Sequence, residues 1–372
     1  MSSPARVRAD ACPGVFATHD AADGPLARVR LPGGVVSADR LRALAACAEE
    51  LGDGNVHLTS RANVQLRGVR RPGLAGRLAE AGLLPSPSHE RVRNVLASPL
   101  SGVSGGLADV RGLAAELDLA LCARPELAEL PGRFLFGFDD GRGDVVGTDV
   151  CWRALSRTIG TVMLAGRDSG WRIKREDAVT ALLTVAETFA RTRGSGWRVG
   201  ELADPAGLLP DGPRDIPQEL PTRVDPTVGR IQRDDGGVAI GVAPRFGQVT
   251  AAQLRTLADC GDALVTPWRS VLLPGGADVE YLQAAGLSTD PATADLTACI
   301  GAPGCAKSLA DVRADAAKLV GVRAHVAGCA RRCGRPSGTH HDVVAEPGGY
   351  RVDGRWTPAS GLAEALARKG PS

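Results

Sequence analysis

Two stretches of the chain repeat one pattern of apolar and polar positions. Residues 26–69 and 238–273 each set an apolar strand before a Pro/Gly turn, and each then opens a helix at Ser37 or Thr250. The matched helices carry LRALAAC at 41–47 and LRTLADC at 254–260, and a second strand follows each. A strand period of two giving way to a helical period of about 3.6 in both copies marks one supersecondary unit used twice.

A second correspondence extends the duplication. LADVR stands at both Leu107–Arg111 and Leu309–Arg313, and GTVMLAGRDSGWRI (160–173) is similar to GYRVDGRW (349–356). Helical stretches are expected after each, at 175–193 and 359–369. The chain is therefore expected to be α+β and duplicated, in the order small unit, larger unit, small unit, larger unit. The predicted boundaries are 12–72, 73–202, 228–288 and 289–372, with the Pro-rich segment 203–227 as the linker between halves.

Composition changes this picture little. A formal charge of +2 on 372 residues argues against a dedicated nucleic-acid binder. No run approaches the length of a membrane span and the N-terminus shows no apolar leader, so a cytoplasmic protein is expected. Nine cysteines in a reducing compartment point to metal binding or core packing rather than disulfides. Cys47 and Cys260 occupy equivalent positions in the matched helices and are expected in the core. Cys12, Cys122 and Cys151 lack partners at ligand spacing and are read as packing too.

The other four are different. Five residues lie between Cys299 and Cys305 and three between Cys329 and Cys333, all within a short Gly-rich and Arg-rich stretch. Zinc knuckles favour tighter pairs, whereas cubane clusters collect four thiolates from loops that the fold brings together. Four ordinary buried or free thiols are the bland alternative.

Six ordered motifs then carry a resemblance: RVRLPGG (28–34), HLTSRANVQLRGV (57–69), RVRNVLASPLSG (91–102), LPGRF (130–134), CIGAPGC (299–305) and HVAGCARRC (325–333). The chain resembles the nitrite/sulfite reductase superfamily, and within it the precorrin-3B synthases of cobalamin biosynthesis. That resemblance implies two ferredoxin-like half-domains, a larger unit without a cluster, and a 4Fe-4S unit whose ligands are Cys299, Cys305, Cys329 and Cys333. It further implies that Arg28, Arg61, Arg93 and Arg133 grip tetrapyrrole carboxylates, with Arg61 and Arg133 at the reacting centre. Asn63, Gln65 and Arg67 alternate with Val64 and Leu66, so on a strand they are expected to share the face of Arg61, with Asn63 and Gln65 as further tetrapyrrole contacts.

Reductases of the superfamily use siroheme and bring two basic residues to sulfite or nitrite from the segment corresponding to LPGRFL. Here Leu135 takes one of those places. The synthase resemblance instead implies hydroxylation of precorrin-3A by dioxygen with closure of a γ-lactone, and associates a mononuclear non-haem iron with the reaction. His325, His340, His341 and Asp342 are the few candidate ligands, and none is assigned. No G-x-G-x-x-G opens a helix after a strand, so electrons are expected from a separate NAD(P)H-dependent reductase or a ferredoxin. A siroheme-dependent reductase and a non-catalytic cluster-bearing tetrapyrrole binder are the alternative readings.

Overall fold

The computed structural model describes residues 12–336 and 338–367. Four five-stranded sheets form two pairs, and the members of each pair share a topology. The first sheet runs in the order His19–Ala21, Gly24–Val29, Val64–Leu66, Asn55–Leu58, Gln248–Thr250. Its counterpart runs Gly229–Gln232, Val238–Val242, Val271–Leu273, Ala263–Val265, Val35–Val36.

The last strand of each sheet comes from the other half of the chain. Gln248–Thr250 pairs antiparallel with Asn55–Leu58, and Val35–Val36 pairs antiparallel with Ala263–Val265. The two repeated units thus complete one another's sheets, which also covers edges that would otherwise expose unpaired backbone. The matched helices, Ala38–Leu51 and Ala251–Asp259, pack against each other beneath the sheets. Their starts are the two residues expected. Ser37 Oγ accepts the Arg40 amide, and Thr250 forms a full capping box with Gln253. One core runs through both units and includes Leu44, Ala48, Leu66, Leu254, Leu257 and Leu273.

The larger units repeat in the same way. Val95–Ala97, Phe136–Asp139 and Val150–Ala154 are parallel, and Ile159–Leu164 and Arg167–Lys174 follow antiparallel. In the second copy Leu296–Ala298, Ala324–Ala327 and His341–Glu346 are parallel, followed antiparallel by Gly349–Val352 and Arg355–Pro358. The first copy is the better filled, with Trp152, Phe134, Phe136, Phe138 and Phe189 fully buried around helix Ala178–Thr192. The second closes on Tyr350 and the short helix Leu362–Ala367; the expected helical stretch beyond Ala367 lies outside the described residues.

The segment 203–227 is laid along the first larger unit. The Gln218 amide donates to Asp168, the Arg223 amide donates to the Arg142 carbonyl, and Arg142 pairs with Asp225. No helix among the described residues is long and apolar enough to cross a membrane.

Candidate functional site

On the face of the first sheet opposite the helices, polar side chains stand in register across four strands. Gln248 lies opposite His57, His57 opposite Gln65, and Gln65 opposite Arg28. With its amide oxygen turned toward Arg28, Gln65 accepts from Nη2 at 2.6 Å and from Nε at 3.1 Å. At one end of this row Arg28 enters a cavity of about 350 Å3, lined also by Cys12, Pro13, Arg61, Arg133 and Arg198.

The four guanidiniums reach the cavity from separate elements. Arg61 sits on the turn between strands Asn55–Leu58 and Val64–Leu66. There the Thr59 amide donates to the Asn63 carbonyl and Ala62 adopts a left-handed φ of 53°. This corrects the expected strand face, because the turn swings Arg61 out of line with Gln65. Arg133 extends from the LPGRF segment over the ring of Trp197, 4.8 Å from its centroid. Arg198 is held by the buried carboxylate of Asp149, Nε to Oδ2 at 2.7 Å. Crowding has a cost: burial first, then the neighbouring charges of Arg198 and Arg28, lower the Arg61 pKa to about 10. An anion seated here would relieve that repulsion.

Two predicted contacts are not brought to the cavity. Arg93 is buried and forms a bidentate pair with Asp118, with both bonds at 2.7 Å. Its fork is therefore already filled by a carboxylate of the chain itself. Asn63 is fully buried, accepting the Leu31 amide at 2.8 Å and donating to Asn94, so it ties the LPGG strand to the Arg93–Asn94 segment. Gln65 reaches the site through Arg28. Cys12, Pro13 and Arg198 also line the cavity, and no motif pointed to them. Cys12, expected as packing, lines the cavity because Glu90 binds the Val15 and Phe16 amides and Arg30 binds the Pro13 carbonyl. Arg198 belongs to no motif, and its one local signal is the Trp197–Arg198 pair soon after helix Ala178–Thr192.

The cysteine loops dock against the same sheet. Arg67, two residues beyond Gln65, donates to the Gly304 carbonyl at 2.9 Å while paired with Asp23. Arg313 donates to the Cys299 carbonyl at 3.1 Å and to Gln248, the far end of the polar row. Cys299, Cys305, Cys329 and Cys333 are brought together: burial and then the charges of the other three raise the Cys333 thiol pKa. The Gly328 amide donates to Cys299 Sγ at 3.1 Å, the kind of bond that tunes a metal-bound thiolate.

A tetrahedral zinc site needs sulfurs about 4 Å apart. The cysteines do not form a group with all ligand atoms within 4.8 Å of one another; among the described residues the buried carboxylates of Asp139, Asp140 and Asp144 do. Four thiols gathered more loosely suit a cluster in which each binds a different iron. Of the candidate histidines, His325 Nδ1 meets Thr297, His340 Nδ1 the Gly338 carbonyl and His341 Nδ1 Asp353 at 2.6 Å, while the buried His325 Nε2 has no hydrogen-bond partner among the described residues and its ring lies 6.5 Å from that of His340.

Paired strand-exchanged units and two larger copies of one sheet define a class, and comparison with known proteins agrees. Residues 19–81 match the family described as the nitrite/sulfite reductase ferredoxin-like half domain. The chain has the fold of NirA from Mycobacterium tuberculosis, with a TM-score of 0.72 and 22% identity, covering 92% of this chain and 80% of that one. More particularly, it is similar to a precorrin-3B synthase from Sinorhizobium sp., 28% identical over 418 residues, covering 98% of this chain and 89% of that protein. A ferredoxin–nitrite reductase from Leptolyngbya laminosa is 35% identical over 117 residues, 29% of this chain and 23% of that one.

Proposed function

We propose that the chain is an iron-sulfur oxidoreductase of the precorrin-3B synthase type, hydroxylating precorrin-3A with dioxygen and closing a γ-lactone. The observation that carries the reading is the cavity in which Arg28, Arg61 and Arg133 converge beside the polar row of the first sheet. Bidentate guanidinium–carboxylate pairs fix a planar polyacid in position as well as bind it. In this reading one edge of the macrocycle and its carboxylate arms occupy the cavity. In this role Gln65 aims Arg28, the turn at Ala62 presents Arg61, and Trp197 keeps the Arg133 guanidinium flat.

The donor set Cys299, Cys305, Cys329 and Cys333 would hold a 4Fe-4S cluster, which supplies single electrons when bound. No ligands are assigned to a mononuclear iron, and no step is assigned to one. Similarity to the Sinorhizobium protein over nearly the whole of both chains supports the same reading. The electron donor is proposed to be a separate ferredoxin or NAD(P)H-dependent reductase.

One observation favours a second reading, a siroheme-dependent nitrite or sulfite reductase. Leu135 is buried, but Arg198 brings another guanidinium to the cavity beside Arg133, so the anion-binding charge missing from LPGRFL is present in space. Anaerobic incubation with precorrin-3A and a reduced ferredoxin, followed by isotopically heavy dioxygen, separates the two. A product heavier by one oxygen atom drawn from dioxygen supports the synthase reading. Unchanged precorrin-3A, with nitrite or sulfite reduced instead, overturns it.

A further inference from the structure

The buried carboxylate of Asp149 joins two loops that each deliver an arginine. It accepts the Leu135 amide at 2.9 Å, two residues beyond Arg133, and the Val199 amide at 2.7 Å, one residue beyond Arg198. It also holds Arg198 Nε, while Arg198 Nη2 binds the Gly147 carbonyl. Arg198 is thus fixed along one edge, and its Nη1 makes no hydrogen bond with the described residues although the side chain lines the cavity. Trp197, its neighbour in sequence, lies under Arg133. A residue serving only to anchor its loop would have no reason to stand at the cavity wall with an amino group uncommitted, next to another arginine. Like charges held together by the protein repel until an anion bridges them.

We propose that Arg198 binds a carboxylate of the ligand, forming with Arg133 a clamp on one acidic arm of the tetrapyrrole, and that Asp149 is the positioning residue that sets the clamp. The inference rests on the tetrapyrrole reading and adds a contact to it. A charge-assisted bond of this kind is expected to be worth about tenfold to a hundredfold in affinity.

The test is titration of the intact, purified protein with uroporphyrin I, a stable octacarboxylate, followed by quenching of tryptophan emission, with melting temperature as the check on folding. Arg198→Ala is expected to weaken binding about tenfold or more, and Arg198→Lys, which keeps the charge but not the fork, to lie between. Arg157→Ala, at an exposed position outside the cavity, is expected to match the unaltered protein. In an Asp149→Asn background Arg198→Ala should cost less than it does alone, because the arginine is no longer held in place.

The outcomes are separable. If the unaltered protein fails to bind uroporphyrin, the tetrapyrrole reading itself falls. If it binds, Arg61→Ala weakens it and a folded Arg198→Ala does not, that reading stands and the clamp is refuted. Loss of sulfite or nitrite affinity in Arg198→Ala with uroporphyrin binding unchanged refutes the clamp as well, by assigning Arg198 to a small oxyanion.

Discussion

Asp144 lies among charges of both signs in the first larger unit, and its environment leads to a measurable dependence of stability on pH. Its carboxyl is buried and accepts the Ser98 hydroxyl at 2.6 Å, close to the carboxylates of Asp139 and Asp140, which pair with Arg153 and Arg142. Burial first, then the two neighbouring aspartates against the lowering by Ser98 and Arg142, raises its pKa from 3.8 to about 7. Across that interval the folded chain keeps a proton that the unfolded chain releases. The stabilisation is fully present below about pH 3.8 and is lost as pH rises to about 7.

At about 1.4 kcal/mol per pH decade the interval amounts to about 4 kcal/mol, an upper limit because polar neighbours relax around the charge. About half of that, ~2 kcal/mol, is a fair expectation. Asp144→Asn keeps an acceptor for Ser98 and removes the charge. Urea unfolding should show the variant ~2 kcal/mol more stable than the parent at pH 8, with the gap shrinking at pH 5. A gap that is the same at both pH values would refute the reasoning.

Two further predictions follow from pairs already described. Asp118→Ala leaves the Arg93 guanidinium buried without its carboxylate and should cost about 3–5 kcal/mol in urea unfolding, while uroporphyrin affinity at 10 °C stays unchanged; weakened affinity in protein that is still folded would return Arg93 to the ligand site. Cys333→Ser should lose most of the iron and acid-labile sulfide after anaerobic reconstitution, whereas Cys47→Ser, in the helix core, should retain both. Equal metal content in the two would remove Cys333 from the ligand set.

Much of the architecture was legible because it is local and repeated. Ser37 and Thr250 announce their helices through side chains that cap the amides just ahead, and the second copy of each pattern confirmed the first. Strand exchange was not legible, since nothing in Val35–Val36 or Gln248–Thr250 says which sheet they will join. At the site, the strand alternation predicted one shared face, and the turn breaks it. Arg61 leaves the line because of the turn at Ala62, and Arg93 is taken by Asp118, a residue one helix away. Arg198 and Cys12 reach the cavity through distant anchors, Asp149 and Glu90, and such long-range partners have no periodic signature in the chain.

Whether the tetrapyrrole arrives as substrate or is resident as siroheme is the central question, and an absorption spectrum of anaerobically purified protein, with iron and sulfide analysis, meets it most directly. Expected are a broad band toward the blue, iron and sulfide lost together on cluster removal, and no siroheme bands. Strong siroheme bands that persist through purification would contradict the synthase reading and assign the arginine cavity to a reductase.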